Sequence, residues 1–208
     1  MPDAVSRETP PSDVAGVLPS RLPVLVRYAE ILAEEGVRRG LIGPREVPRL
    51  WSRHLINCTA VLPRLPESAT VADVGTGAGL PGLVWAIARP DLSVTLIEPL
   101  LRRTTFLDEV VADLALDNVE VLRSRAEDVD AQYDVVTARA VARLDKLGRW
   151  CMPLVKRPDG VLLALKGRSA AEEVAEAKPT LHRLGARSIV VTTYESRDEP
   201  TTVVEVTT

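Results

Sequence analysis

A run of glycines between two acidic residues is the part of this 208-residue chain best suited to chemistry. The run reads DVGTGAGLPG over residues 73–82, and Glu98 follows 23 residues after Gly75. Glycines in a short turn let the backbone bend sharply and let a ligand approach closely, because no Cβ intrudes. A carboxylate at the end of the next strand, as predicted for Glu98, can accept hydrogen bonds from both hydroxyls of an adenosine ribose. The run therefore predicts a binding site for a ligand that contains a nucleoside.

Two cofactors fit this pattern. The dinucleotide-binding fingerprint is matched by Gly77, Gly79 and Gly82. The loop that holds S-adenosylmethionine (SAM) is matched by Asp73, Gly75, Gly77 and Gly79. An acid at position 73 suits the ammonium and sulfonium of SAM and would repel a pyrophosphate. The residues thus favour SAM, with a nicotinamide dinucleotide and hydride transfer as the alternative.

The surrounding elements must bring these side chains to one edge of a sheet. The predicted strands span residues 70–74, 93–97, 119–122, 133–138, 160–165, 188–193 and 202–206. The predicted helices span residues 22–37, 45–62, 83–88, 101–114, 144–155 and 170–184. Alternation of strands and helices indicates a Rossmann-like α/β fold with a mostly parallel sheet. The last two strands are too close for a helical crossover and predict an antiparallel hairpin at one edge.

Several motifs together resemble the RsmG (GidB) family of methyltransferases. The longest similar run is VADVGTGAGLPGLVWAIARPDLSVTLIEPLLRRTTFL, residues 71–107. Further similar segments, in chain order, are RHLINCTAVLP (53–63), SRAEDV (124–129), YDVVTARAVARL (133–144) and GVLLALKG (160–167). The resemblance implies a class I SAM-dependent methyltransferase fold with an N-terminal helical extension. It further implies methyl transfer from SAM to N7 of a guanine in 16S ribosomal RNA, with S-adenosylhomocysteine as product.

The resemblance also implies roles for individual residues. It places SAM contacts at Gly75 and Leu80, and contacts to the adenine and its surroundings at Ala126 and Glu127. A further site contact falls on Arg139, at the end of the fourth strand. The predicted cofactor-binding residues are therefore Asp73, Gly75, Gly77, Gly79, Leu80, Glu98, Ala126, Glu127 and Arg139.

The resemblance and the sequence pattern divide the chain into three parts. Residues 1–20 contain four prolines and no periodicity, and we expect a flexible leader there. Apolar residues at helical spacing predict a helical extension over 21–66, followed by the methyltransferase domain over 67–208.

The implied reaction requires no general base. N7 of guanine carries a free lone pair, so no proton has to leave before it attacks the methyl group. We expect catalysis by positioning and name no catalytic residue. Cys58 and Cys151 lie in predicted helical segments and are interpreted as packing residues rather than nucleophiles.

Basic residues gather in two blocks despite the net charge of −3. Residues 38–64 contain six arginines and one glutamate, and residues 121–168 contain ten basic and six acidic residues. A local basic surface of this kind is typical of nucleic-acid binding. The candidate RNA-binding residues are Arg49, Arg53, His54, Arg123, Arg139, Arg143 and Lys166.

The composition of the chain indicates where the protein acts and which partners it lacks. No apolar run approaches the roughly 18–20 residues of a membrane span, no secretory signal is visible, and no spaced metal-binding motif occurs. We expect a cytoplasmic monomer without metal that acts on 16S ribosomal RNA or the assembling small subunit. The alternatives are a SAM-dependent methyltransferase of a small molecule or protein, an NAD-binding oxidoreductase, and a non-catalytic RNA-binding protein.

Overall fold

Seven strands form one sheet in the computed structural model, which describes residue 10, residues 19–195 and residues 200–208. The strands are β1 (Thr70–Val74), β2 (Ser93–Ile97), β3 (Val119–Leu122), β4 (Val135–Arg139), β5 (Val161–Lys166), β6 (Ser188–Tyr194) and β7 (Thr201–Thr207). Their spatial order is β3-β2-β1-β4-β5-β7-β6. Strands β1 to β5 pair in parallel, and β7 pairs antiparallel with β5 and β6. The predicted parallel sheet with an antiparallel edge hairpin is confirmed.

The helices of the described residues cover both faces of this sheet. They are α1 (Leu22–Ile31), α2 (Ile56–Thr59), α3 (Gly82–Ala88), α4 (Leu101–Asp113), α5 (Leu144–Cys151) and α6 (Ala170–Arg183). Helix α1 continues as a wider π-helical turn over Leu32–Gly36. Helix α5 ends earlier than predicted, because Met152–Leu154 tightens into a 3₁₀ turn that contains Pro153. Residues 1–9 and 11–18 of the predicted leader lie outside the described residues.

The central strands are buried, and the reversal of strand order between two of them opens a crevice in which a ligand can bind. The last four residues of β1 and of β2 are buried, as are the first four of β4. Near-continuous apolar runs of this kind are typical of parallel strands covered on both faces. The order of the strands reverses between β1 and β4, so connections leave the sheet in opposite directions there. Ligands bind in open α/β sheets at the carboxyl ends of such strands.

The prediction of one continuous helix over residues 45–62 is wrong. The structure has a 3₁₀ helix over Pro44–Arg49, a π-helical turn over Leu50–Leu55, and then α2. Pro48 lacks a backbone N–H and cannot donate the hydrogen bond that a continuous α-helix requires. The apolar spacing nevertheless identified the buried side, since Trp51 is buried as expected for a core residue.

Two buried hydrogen bonds attach the N-terminal helices to the sheet. The Tyr28 hydroxyl donates to the carbonyl of Ala78, inside the glycine run, over 2.8 Å. The Trp85 indole N–H of α3 donates to the carbonyl of Cys58 in α2 over 2.9 Å. These helices therefore pack on the α3 side of the sheet and contact the turn that follows β1.

Candidate functional site

The turn after β1 depends on glycine at three places. Gly75, Gly77 and Gly79 have φ angles of 67°, 62° and 101°, which L side chains rarely adopt. A Cβ on Gly75 would also lie 2.9 Å from Cγ2 of Val141, closer than real contacts allow. The turn, called here the glycine loop (residues 75–82), therefore needs these residues for its shape.

Asp73 holds the glycine loop from inside. Its Oδ2 accepts hydrogen bonds from the Thr76 hydroxyl (2.6 Å) and from the Gly82 backbone N–H (2.8 Å). Its Oδ1 is buried and has no partner among the described residues. Burial raises the pKa of Asp73 to about 6, against the lowering effect of the two hydrogen bonds. The carboxylate therefore places an incompletely satisfied negative charge behind the loop.

Glu98 presents a second carboxylate at the end of β2. It is only 1% exposed, and its Oε2 accepts from the Gly77 N–H (3.2 Å) and from Nη1 of Arg103 (3.1 Å). Its Oε1 accepts from the Leu100 N–H over 3.1 Å. These donors orient the carboxylate and leave lone pairs that can accept from a ligand's hydroxyl groups.

A cavity of about 540 Å³ opens at the carboxyl ends of β1, β2 and β4, and we call it the cofactor cavity. It is lined by Val74, Gly75, Ile97, Glu98, Pro99, Leu100, Arg103, Ser124, Arg125, Ala126, Glu127, Ala140, Val141 and Trp150. Its size is typical of small-molecule sites, about 300–1,000 Å³. Apolar walls with one buried carboxylate suit the adenine and ribose of SAM, and the unpartnered Asp73 oxygen supplies negative charge that suits its cationic end.

The predicted cofactor residues fall into three groups in this structure. Those that line the cofactor cavity are Gly75, Glu98, Ala126 and Glu127. Those that shape the glycine loop without lining the cavity are Asp73, Gly77, Gly79 and Leu80. Arg139 lies apart and lines a neighbouring cavity.

Sequence reasoning missed Trp150 and Val141 as walls of the cofactor cavity. Trp150 lies near the end of α5, and Val141 follows β4. Trp150 lies outside the family-like segments, and Val141 lies inside residues 133–144 without having been assigned a role. Only the packing of α5 and of the loop after β4 brings them to the cavity. The Lys146 ammonium lies over the Trp150 ring, 4.8 Å from its centroid.

The neighbouring cavity, of about 800 Å³, is rich in basic side chains, and we call it the basic cavity. It is lined by Arg53, Asn57, Arg139, Ala140, Val141, Ala142, Arg143, Leu165, Lys166, Gly167, Arg168, Glu173, Pro200, Thr201 and Thr202. Four predicted RNA-binding residues line it: Arg53, Arg139, Arg143 and Lys166. The other three, Arg49, His54 and Arg123, do not.

The two cavities share Ala140 and Val141 as a common wall. Ala140 has a φ of 55°, in the left-handed region that an alanine rarely occupies. Such backbone is kept only where the surrounding structure imposes it, and it is frequent at functional sites. The chain thus turns sharply at the point where the two cavities meet.

Lys166 supports this turn rather than facing solvent. Its side chain is 8% exposed, and its ammonium donates to the Ala142 carbonyl (2.6 Å) and to Glu173 (2.8 Å). Glu173 also accepts from the Leu144 N–H over 2.9 Å. Burial alone would raise the pKa of Glu173, but the bonds from Lys166, Ser169 and Leu144 hold it below its usual range.

The Arg139 guanidinium points from the end of β4 into the N-terminal helices. Nη1 donates to the His54 carbonyl (3.3 Å) and lies 3.5 Å from Sγ of Cys58. Nη2 donates to the Arg53 carbonyl (3.3 Å) and lies 2.7 Å from Nδ1 of His54. Among the described residues, Arg139 makes no direct ion pair with Asp73 or Glu98, although its charge acts on Asp73 electrostatically.

Both cysteines are buried, which agrees with their interpretation as packing residues. Burial raises the pKa of Cys58 to about 11, and it raises the pKa of Cys151 further. Within the described ranges, no group of three His, Cys, Asp or Glu residues is placed to hold a metal ion. In the same part of the chain, no helix combines the length and apolar character that crossing a membrane requires.

Comparison with known proteins identifies relatives along nearly the whole chain. The model of the family "rRNA small subunit methyltransferase G" matches residues 21–201. A ribosomal RNA small subunit methyltransferase G from Nocardioides sp. is 60% identical over 190 residues, covering 89% of this chain and 76% of that protein. A protein of the same name from Salinispora tropica is 52% identical, covering 99% of this chain and 90% of that protein.

A solved structure supports the same fold. TYW2 from M. jannaschii, determined in complex with AdoMet, superposes with a TM-score of 0.59 at 19% identity. The match covers 76% of this chain and 76% of that one. At this identity the likeness concerns the fold alone.

Proposed function

Because this chain belongs to the rRNA small subunit methyltransferase G family, we propose that it transfers a methyl group from SAM to N7 of a guanine in 16S ribosomal RNA. One observation carries the proposal: a cavity suited to SAM and a cavity rich in basic side chains meet at Ala140 and Val141. Methyl transfer needs its two substrates in contact at such a junction.

Family membership decides between the two cofactors that the glycine loop left open. When SAM is bound, it supplies an electrophilic methyl group on a cationic sulfur. Glu98 would accept from the ribose hydroxyls, Gly75 would let the cofactor approach the backbone closely, and Trp150 and Val141 would enclose its apolar surface. The negative charge of Asp73 attracts the cationic end of the cofactor through the glycine loop.

The reaction conserves charge and moves no proton. The lone pair of N7 forms the new C–N bond, while the C–S electrons return to sulfur and leave neutral S-adenosylhomocysteine. Positive charge passes to the guanine ring, so a cation placed directly at N7 would oppose the reaction. The basic residues are therefore better placed to bind RNA phosphates than N7 itself. The main contribution of the protein to catalysis is to align N7 with the methyl group.

The proposed RNA-binding residues act in two ways. The Arg143 side chain is 62% exposed and pairs with Glu176 of α6, which an RNA phosphate can replace. Arg53 and Arg168 line the same basic cavity. Lys166 instead holds the Ala142 carbonyl and so shapes the wall between the two cavities.

This arrangement supports the proposed division of the chain. We treat residues 67–208 as the methyltransferase domain and residues 21–66 as an extension that completes the acceptor side. The extension supplies Arg53 and Asn57 to the basic cavity. For the whole protein we propose a cytoplasmic monomer that meets 16S ribosomal RNA or the assembling small subunit.

Methyl transfer from labelled SAM to 16S ribosomal RNA and to small-subunit particles tests the function. We expect one guanine to be labelled, with strand cleavage specific for N7-methylguanine at that position. Glu98→Gln removes the buried charge and should weaken SAM binding about tenfold or more. The matched control, Asp128→Asn, changes a neighbouring exposed carboxylate that does not line the cofactor cavity.

One outcome would overturn this function, and a second would overturn the role of Glu98. If the wild-type protein binds SAM but labels neither form of RNA, the alternative of a small-molecule or protein methyltransferase would be favoured. Equal SAM binding by Glu98→Gln and Asp128→Asn would remove the assigned ribose contact.

A further inference from the structure

His54 lies between a glutamate and an arginine, with both ring nitrogens in contact. Nδ1 is 2.7 Å from Nη2 of Arg139, and Nε2 is 2.9 Å from Oε2 of Glu46. The His54 side chain is only 15% exposed. The imidazole thus connects the 3₁₀ turn at Glu46 with Arg139 at the end of β4, which follows His54 by 85 residues.

The two neighbours determine which nitrogen carries the proton. A guanidinium has donors only, so Nδ1 of His54 must accept from Arg139 and cannot be protonated. A carboxylate accepts only, so Nε2 must carry the proton and donate to Glu46. The geometry therefore requires a neutral ring in the Nε2–H form.

We propose that His54 is a positioning residue for methyl transfer, whose neutral imidazole accepts from Arg139 and so holds that guanidinium in the wall of the basic cavity. The inference rests on the proposed function and deepens it, because Arg139 directly precedes the Ala140–Val141 wall. Carbonyls of Arg53 and His54 complete the support, over 3.3 Å each.

The charges around the ring make the neutral form a requirement. A protonated ring would turn Nδ1 into a donor facing Arg139, with Arg53 as a second cation nearby. Glu46 opposes this with negative charge, and it is itself paired with Arg53 and influenced by Arg49. The Cys58 thiol faces Arg139 as a neutral group and adds no charge. Burial, followed by the Arg139 charge, lowers the pKa of His54.

Two substitutions separate the two nitrogens of the ring. His54→Asn places an amide oxygen near the position of Nδ1 and keeps the acceptor for Arg139. His54→Gln reaches the position of Nε2, where it can meet Glu46, but provides no acceptor for Arg139. The two variants are similarly polar, and melting temperatures show whether both fold.

The kinetic test compares these variants with wild type on small-subunit particles. We expect His54→Asn to keep kcat/KM for RNA within about threefold, and His54→Gln to lose about tenfold or more. The dissociation constant for SAM is measured for both variants as well, because the Arg139 charge also acts on Asp73 behind the glycine loop.

Nitrogen-15 NMR of the wild-type imidazoles tests the same inference without a variant. The chain has two histidines, and His182 provides an internal reference. Its Nδ1 lies 2.9 Å from the Ala186 carbonyl, which requires a proton on Nδ1. We therefore expect a proton on Nε2 and none on Nδ1 of His54, whereas Nδ1 of His182 should carry a proton.

The outcomes distinguish a failure of the positioning role of His54 from a failure of the proposed function. An active wild type with His54→Gln and His54→Asn equally active, or a proton on Nδ1 of His54, overturns the positioning role alone. A wild type that binds SAM but methylates neither RNA form overturns the proposed function, and the positioning role falls with it.

Discussion

The buried carboxylate of Asp73 shows how one residue serves both the fold and the cofactor. Its Oδ2 anchors the glycine loop through Thr76 and Gly82, while its Oδ1 lacks a partner among the described residues. Burial raises its pKa to about 6, above the reference value of 3.8. The folded state therefore favours protonated Asp73. The contribution of Asp73 to the free energy of unfolding declines as pH rises from about 4 through 6. A cationic ligand favours the ionised form instead.

Asp73→Asn should separate these two effects. An amide oxygen can keep the bonds from Thr76 and Gly82, whereas the charge is lost. At pH 7.5 we expect a melting temperature no lower than wild type and SAM binding about tenfold weaker, from about 1.4 kcal/mol of lost attraction. Asp117→Asn, an exposed change, is the control for both measurements.

The same charge predicts a pH dependence of cofactor binding. As pH falls through about 6, the free protein takes up a proton at Asp73, so SAM affinity should decrease in wild type. Titration calorimetry between pH 5 and 8 measures the affinity for SAM. The slope of log affinity against pH should be smaller in Asp73→Asn than in wild type. An unchanged slope in the variant would assign the dependence to another group.

At the scale of elements, the N-terminal helices are attached to the sheet at separate places. Besides the Tyr28 and Trp85 bonds, Arg64 pairs with Glu205 of β7. The Tyr194 hydroxyl of β6 donates to the same carboxylate over 2.8 Å. Burial alone would raise the pKa of Glu205, but Arg64 and Tyr194 hold it below its usual value. The pair therefore joins the helical extension to the edge hairpin.

Arg64→Met should weaken this attachment, because Glu205 would stay buried without its cation. The Arg64 side chain is 50% exposed, so water replaces it in part, and we expect a loss of about 1–2 kcal/mol in the free energy of unfolding at pH 7. The lowered folded pKa of Glu205 means that its stabilisation exists at neutral pH and is lost as pH falls through that value.

Urea unfolding of Arg64→Met at pH 7 and at pH 4 measures this effect. The difference from wild type should shrink at the lower pH. Arg38→Met is the control, because Arg38 is 71% exposed and its ion-pair partner among the described residues is Glu35, three positions away. An equal loss in the two variants at pH 7 would show that the Arg64 pair contributes no more than a surface ion pair.

At the scale of the whole molecule, the distribution of charge matters more than its sum. The chain carries a net charge of −3, yet basic residues from the extension, from β4 and from the segment after β5 converge on one cavity. A local basic surface binds RNA phosphates and releases their counterions, which makes binding dependent on salt. The acidic net charge therefore does not exclude an RNA substrate.

Arg168→Ala should reveal a phosphate contact in this cavity. We expect weaker RNA binding at every salt concentration and a decrease of about 0.7–1 in the slope of log K against log[salt]. Lys178→Ala, an exposed change on α6 outside the basic cavity, should leave the slope unchanged. Equal slopes in the two variants would remove Arg168 from the RNA surface.

Local patterns in the sequence are enough to predict the sheet, the glycine loop and the carboxylate at the end of β2. The first three predicted strands, residues 70–74, 93–97 and 119–122, have the observed bounds, because short apolar runs and glycine turns are local signals. The resemblance to one family, which comparison with known proteins confirms, likewise rests on local runs of residues.

How distant segments complete the site becomes visible only in the folded chain. The 3₁₀ and π-helical turns before α2 follow from Pro48 and from packing, which apolar spacing alone does not reveal. Trp150 reaches the cofactor cavity through the placement of α5. Arg139 meets His54 across 85 residues, and such a contact depends on docking the N-terminal helices against β4. Local patterns specify elements, whereas contacts over this separation arise only when the elements pack together.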